Sequence, residues 1–181
     1  FNNSITHNFN FGLQKTSGLN IAIGVAIIQT LKHYGSQNIG LKWPNDVIGT
    51  KGKVAGILIE ATGNTKSCRV IIGIGINWNI RQELFAAIDQ PCSNAGISKI
   101  SRSEFIAQLI LNINNSIKEF ELNKLNNLLS VWQENDVLID KNIYLIQSNA
   151  MTPAIYKGIN EEGLLIVQIE NKLKTIASGE V

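Results

Sequence analysis

The run SGLNIAIGVAIIQTLKHYG, Ser17 to Gly35, constrains the fold more than any other part of this sequence. Its spacing predicts a helix, with Ser17 as N-cap and Gly35 as the C′ residue that stops it. The helix is apolar nearly all round, so it is expected to lie buried against a sheet. Gly24 in its interior costs up to about 1 kcal/mol relative to Ala, which points to close packing there. The sequence also supplies the sheet. Ile39, Leu41 and Trp43 alternate with Gly40 and Lys42, residues 54–60 read as a second strand, and residues 68–77 as a third. The connector ATGNTKS between the last two is rich in turn residues, which makes those strands antiparallel neighbours. Phe1, Phe9 and Phe11, in an otherwise polar opening, fit a strand whose partners lie upstream.

Further along, RQELFAAIDQPCSNAGI reads as a mixed loop. SRSE, Ser101 to Glu104, matches a capping box. After it Phe105, Ile106, Leu109, Ile110, Ile113, Ile117 and Phe120 recur at helical spacing. Leu125, Leu128, Leu129 and Trp132 predict a second, shorter helix. Beyond Trp132 the pattern changes to short apolar runs split by Asp-Lys-Asn, Asn-Glu-Glu-Gly and Glu-Asn-Lys, the rhythm of a small β-barrel. The boundary is placed near Asn135, giving units 1–135 and 136–181.

Composition narrows the function classes. With 181 residues, 44% of them hydrophobic, the chain can build a real core for one domain plus a small appendage. A net charge of +2 gives no global pull toward nucleic acid or an anionic membrane. Cys68 and Cys92 have neither metal-ligand spacing nor a disulfide framework, and they favour a reducing, cytoplasmic compartment. The longest apolar stretch, Ile21 to Ile28, is far too short for a bilayer. A start at Phe1 with no signal-peptide pattern leads to the expectation that this is a piece of a longer chain.

Three constellations carry chemistry. In LKWPNDVIGTKGKVAGILIE, Lys42 ends a strand and Pro44 breaks the ladder, so Asn45 and Asp46 sit at a corner where side chains converge. A lysine offers a point charge for phosphate and an aspartate a hard oxygen for Mg²⁺. The plainer reading is a solvated turn. Next, Lys51 and Lys53 flank Gly52, and Gly56 interrupts an aliphatic strand, as glycines do at bulges or where a ligand approaches the backbone. A hairpin loop with exposed lysines and a packing glycine is the alternative. Third, in IIGIGINWN the alternation puts Gly73, Gly75 and Asn77 on one face and Ile72, Ile74 and Ile76 on the other. The glycine face suits a flat polar ligand; the alternative is room for a packed helix. GxG here has no third glycine and opens no helix, so it is not a dinucleotide fingerprint. Arg81 is a weak phosphate candidate, and Trp43, Trp78 and Trp132 read as core or pocket wall.

Taken together, KWPND, then KVAGIL, then GIGINW, with a strand-rich end closing in SGEV, resemble the biotin protein ligase family over essentially the whole chain. The resemblance implies an α/β fold of the α+β kind: a mixed, mainly antiparallel sheet flanked by helices, then a small SH3-like β-barrel. It implies activation of biotin with ATP to biotinyl-5′-AMP and transfer of biotin to a lysine of the biotin carboxyl carrier protein of acetyl-CoA carboxylase. Carried over residue by residue, it makes Lys53 the catalytic lysine between the biotin carboxylate and the α-phosphate. Gly56, Gly73 and Gly75 become the floor of the biotin pocket. Lys42, Asn45, Asp46 and Asn77 become the nucleotide side, Asp46 the Mg²⁺ ligand, and Glu180 a residue of the last segment near the nucleotide. The family's GRGRxGR-type loop and an upstream Ser-Thr-Asn biotin contact are absent from these residues. Homodimers that pair sheets side by side are compatible with the resemblance. Two rivals stand beside it: a lipoate ligase or octanoyltransferase, which shares the fold and a lysine, and a bifunctional ligase that is also a biotin-responsive DNA-binding repressor. The last requires an N-terminal helix-turn-helix that these residues do not contain.

Overall fold

The computed structural model describes residues 2–80, 91–98, 100–148 and 150–181. Helix α1, Leu19–His33, is buried on nearly every side. It is packed between two layers: β2 (Gly40–Lys42), β3 (Asp46–Gly49) and β4 (Gly52–Gly63) on one side, and helices α2, Arg102–Asn123, and α3, Leu129–Asn135, on the other. That sandwiching explains an apolar helix with no polar stripe. A Cβ placed on Gly24 would stand 3.2 Å from the Trp132 ring and 3.4 Å from Leu41, the close packing that its glycine predicts. The helix ends as expected. Gly35 takes φ +88°, with Gly35 N donating to Lys32 O and Ser36 N to Leu31 O, the paired bonds of a Schellman motif. Its start differs from the expectation. Gly18 at φ 83° is the N-cap, and the Ser17 hydroxyl donates instead to Glu162 O.

The first sheet has the order β1-β5-β4-β3-β2. Its strands are β1 (Asn2–Phe9), β2 (Gly40–Lys42), β3 (Asp46–Gly49), β4 (Gly52–Gly63) and β5 (Cys68–Ile76). β1 forms as expected but finds its partner downstream, not upstream: it hydrogen-bonds to β5, from Asn2↔Gly75 to Phe9↔Cys68. β3 was not foreseen as a separate strand, being four residues between a corner and a tight loop. The Ile72, Ile74 and Ile76 face is buried, as the alternation requires. Ser101 caps α2 by accepting from Glu104 N at 3.1 Å, and Phe105, Leu109, Ile113, Ile117 and Phe120 are its buried stripe.

The second sheet, β6 (Asn142–Gln147), β7 (Ala150–Ile159), β8 (Leu165–Ile169) and β9 (Lys172–Ile176), runs in simple consecutive order. Two expectations about fold class are corrected here. Every ladder in both sheets is antiparallel, and the parallel contacts among the described residues are isolated bridges, so the first sheet is not mixed. The SH3-like β-barrel is not formed either. Closure requires the last strand to pair along the first. Here β9 stays at an exposed edge, and the chain returns to β6 through the single bridge Ile146↔Glu180. The fold is therefore α+β, two open antiparallel sheets flanked by helices.

A half-buried hydrogen-bond cluster joins the two sheets. Asp136 accepts from the Tyr156 hydroxyl at 2.7 Å, from Trp132 Nε1 at 3.3 Å and from Leu138 N at 3.0 Å. Its neighbour Val137 donates to Leu41 O in β2. Burial pushes the Asp136 carboxyl above the usual carboxylate range, against the pull of those hydrogen bonds. Burial and the adjacent carboxylate push the Tyr156 phenol up as well.

Candidate functional site

Opposed residues in an antiparallel ladder share a face. One such row crosses the whole first sheet: Lys42↔Asp46, Asp46↔Gly56, Gly56↔Gly75 and Gly75↔Asn2. A lysine and an aspartate stand at one end and two glycines in the middle. A Cβ on Gly75 would meet only the Asn2 side-chain oxygen, at 3.2 Å, and one on Gly73 only Leu58 atoms, at 3.6 and 3.7 Å. Among the described residues no helix covers these glycines, so they are not space for packing. They form a bare strip of backbone beside Leu58, which is 63% exposed.

Lys53 joins this row through a bulge. Strict alternation puts residues 53 and 56 on opposite faces of β4. The register slips between Val47 and Ile48, however, so that Ile48 pairs with Lys53 and Val54 is the extra residue. Val54 and Ala55 are both buried in succession, and Lys53 turns onto the glycine face. Its Cε and Nζ lie 2.7 and 2.9 Å from where a Gly56 Cβ would be, so only glycine leaves room for this lysine. The Lys53 ammonium stands 2.7 Å from Asp46 Oδ1. That oxygen is buried and makes no hydrogen bond, so its charge is met by the Lys53 ammonium through the ion pair.

The backbone of Lys53 is held on both sides. Its N–H donates to Pro91 O at 2.8 Å, and its carbonyl accepts from Ser93 N at 2.9 Å and from Asn77 Nδ2 at 2.7 Å. Asn77 N also donates to Val54 O. Asn77 thus clamps the bulge that aims Lys53. Asn45 behaves similarly: its Nδ2 donates to Ile57 O at 2.8 Å and its own carbonyl accepts from Ile57 N. Asn20 of α1 donates to Pro44 O, and Trp43 Nε1 donates to Gly163 O at 3.1 Å, fixing the corner from below and from the second sheet. The Trp43–Pro44 peptide is cis.

The corner opens on a cleft of about 880 Å³ between the two sheets. Lys42, Asn45, Asp46 and Lys53 line one wall, while Lys141, Tyr144 and Glu180 line the other. Gly56, Gly73 and Gly75 lie beyond its rim on the adjoining strip. The structure therefore brings Lys42, Asn45, Asp46, Lys53 and Glu180 together around one cavity. Sequence reasoning missed Asn2, Asn20, Lys141 and Tyr144, whose places depend on pairings and on the second sheet. Arg81 lies outside the described residues, as does the rest of the RQELFAAIDQ segment. Lys51 is exposed, with its N–H bonded to Ser93 Oγ. No cluster of three or more His, Cys, Asp or Glu is found among the described residues. Asp46 alone therefore fits a Mg²⁺ ion only in the mode where phosphate oxygens supply the other ligands. No helix among the described residues is long and apolar enough to cross a membrane.

A family model described as the Biotin/lipoate A/B protein ligase family matches residues 5–77, the stretch that holds the glycine strip and the corner. The bifunctional ligase/repressor BirA of Salmonella typhimurium is 32% identical over 168 residues, which are 91% of this chain and 52% of that protein. BirA of Bacillus spizizenii is 28% identical over 174 residues, 93% of this chain and 54% of the relative. The chain thus spans about half the length of the curated relatives it matches. The apo biotin protein ligase of Aquifex aeolicus superposes with a TM-score of 0.80 at 22% identity, over 98% of this chain and 80% of that one. The same Aquifex protein in complex with biotin and ATP gives 0.77, over 98% and 76%. At that identity the likeness is one of fold. The family model, the curated relatives and the fold agree, and each makes this chain similar to the biotin/lipoate protein ligases.

Proposed function

We propose that this chain carries the adenylating centre of a biotin protein ligase. One observation supports the reading most: Lys53, aimed by a bulge, lies over Gly56 within 2.7 Å of Asp46, where the glycine strip meets the cleft. Biotin lies on Gly56, Gly73 and Gly75 with its carboxylate toward Lys53, and ATP occupies the cleft. A carboxylate oxygen of biotin attacks the α-phosphorus, a P–O bond forms, and pyrophosphate leaves. Two anionic groups must approach, and the fixed Lys53 cation offsets their repulsion most where charge is greatest, in the transition state. Asp46 would hold a Mg²⁺ ion together with phosphate oxygens, and the ion would supply positive charge to screen the leaving pyrophosphate. In the second step the amine of an acceptor lysine attacks the acyl carbon, AMP leaves, and the amine gives up its proton. The acceptor is a biotin carboxyl carrier protein.

Biotin-dependent incorporation of labelled pyrophosphate into ATP tests the first half-reaction in the full-length protein. Exchange no greater than in a control without biotin refutes the assignment. Lipoate as competitor separates the lipoate ligase reading, which the matched family's description also spans. A second reading is favoured by the names of several curated relatives, which are bifunctional ligase/repressors. In that reading the same adenylate, once formed, promotes DNA binding by a segment outside these residues. An operator-binding assay with and without biotin and ATP decides it.

A further inference from the structure

From the cleft geometry we infer that Lys141 belongs to the nucleotide site and binds the polyphosphate opposite Lys42; the inference rests on the cleft being the ATP site. The cleft carries three lysines, Lys42, Lys53 and Lys141, and two side-chain carboxylates, Asp46 and Glu180. Lys53 and Asp46 already meet each other. Among the described residues, neither the Lys42 nor the Lys141 ammonium makes a direct hydrogen bond or ion pair, although the Lys141 charge acts on the Asp136 carboxyl from a distance. Lys157 shows the contrast: it is close to Lys141 in the second sheet but is paired to Asp140 at 2.7 Å. An anion with several charges is what two such ammonium groups on facing walls of one cleft are suited to hold.

The two lysines are also held in fixed relation. Val137 N donates to Leu41 O, the residue before Lys42. Lys141 N donates to Leu138 O, and Lys141 O accepts from Tyr156 N. Tyr156 is in turn anchored by Asp136. One short segment, residues 136–141, therefore carries Lys141 from the wall of β2 to the mouth of β6. A polyphosphate spanning Lys42 and Lys141 ties the two sheets together, so the second sheet contributes a cation as well as Glu180.

The test is calorimetric binding of ATP, pyrophosphate and AMP, at one Mg²⁺ concentration, to full-length wild type, Lys141→Ala, Lys141→Arg and Lys157→Ala. Loss of a hydrogen bond to a charged group corresponds to about tenfold in affinity or more. Lys141→Ala is expected to weaken ATP and pyrophosphate by about that factor, to change AMP by less than about threefold, and to leave biotin affinity and melting temperature unaltered. Lys141→Arg restores most of the ATP affinity, and Lys157→Ala matches wild type. Unchanged ATP affinity in Lys141→Ala overturns the inference, as does equal weakening toward AMP. Pyrophosphate exchange measured in parallel separates the two claims. Wild type that binds ATP through Lys141 yet shows no biotin-dependent exchange sinks the ligase reading and leaves this one standing. Wild type that does not bind ATP sinks both.

Discussion

Gly56→Ala is the smallest change that separates folding from chemistry in this site. The added methyl would stand 2.7 Å from Lys53 Cε and 2.9 Å from Nζ, and 3.5 Å from Asp46 Oδ1. The first two distances are impossible contacts, so the end of the lysine must move by at least several tenths of an ångström. The only close neighbours are the tip of a flexible side chain, and the backbone of Gly56 is not left-handed, so the strand itself tolerates alanine. Stability should change little. Alanine in a strand recovers roughly 0.5–1 kcal/mol of the entropy that glycine loses on folding. The Lys53–Asp46 pair, with side chains 37% and 18% exposed, contributes no more than about 1 kcal/mol after solvent screening. The two terms nearly cancel. Chemistry has no such offset. Misplacing a catalytic group by about 1 Å costs about 10²-fold, and removing one electrostatic contact to a transition state costs about 3–4 kcal/mol. Single-turnover formation of biotinyl-AMP should therefore slow by about 30- to 300-fold, with the melting temperature within a few degrees of wild type. A rate within threefold of wild type would show that the lysine over Gly56 is not the group that stabilises the transition state. A collapsed melting temperature would show that the glycine serves packing.

Other expected outcomes follow from the same geometry. Gly75→Val should abolish biotin binding measured by calorimetry while leaving the fold intact, because the new side chain meets only Asn2 and otherwise fills the open strip. Asn77→Ala should lower the adenylation kcat with ATP KM nearly unchanged, at a stability cost of about 1 kcal/mol for one hydrogen bond; a rise in KM alone would instead make Asn77 a nucleotide contact, as the resemblance implies. Lys51→Ala should leave the rate within about threefold, as expected of an exposed position, while Lys53→Ala lowers it by about 10²–10³-fold. The Asp136 carboxyl is raised in the folded state, so the fold binds its proton more tightly than the unfolded chain. Its contribution to stability is full below the ordinary value of 3.8 and falls as pH rises through the higher folded value. Relative to Asp136→Asn, wild type should gain stability between pH 7 and pH 4 in denaturant titrations, and a gap that widens with rising pH would contradict this sign.

What was legible in the sequence was what depends on short-range pattern. The buried helix, the capped helix at Ser101, the β4–β5 hairpin and the bare glycine face all follow from periodicity and turn chemistry. What was not legible depends on pairing. Phe9 gives no sign of which strand β1 will join, and the answer is β5, downstream. Asp46–Gly49 is too short to show a period. The rhythm of the last segment correctly called for short strands, but closure depends on whether β9 meets β6, which local pattern does not encode. Ser17 has the right chemistry for a cap, yet the Glu162 carbonyl competes for its hydroxyl. The role of Lys53 illustrates both sides. Its motif marked it, but strict alternation would have turned it away from Gly56, and only the bulge at Val54 brings lysine and glycine to one face.

The pair of Lys53 and Asp46 also accounts for how a site made of opposite charges stays folded before any ligand arrives. Each group stands where the other's reaction partner must come. Asp46 occupies the position of an anion beside the ammonium, and the ammonium occupies the position of a cation beside the carboxylate. An isolated charge in a half-buried corner would carry a desolvation penalty that the pair avoids. In the proposed reaction, Lys53 is required by the substrate's carboxylate and phosphate, and Asp46 by the cation that accompanies the phosphates. Two ion pairs replace one, so neither group is ever left uncompensated. A corner clamped by Asn20, Asn45 and Trp43 and a bulge clamped by Asn77 keep the backbone fixed while the two side chains change partners. Rigidity in the strands and freedom at two side-chain tips are what the reaction requires, and the hydrogen bonds at this corner are distributed accordingly.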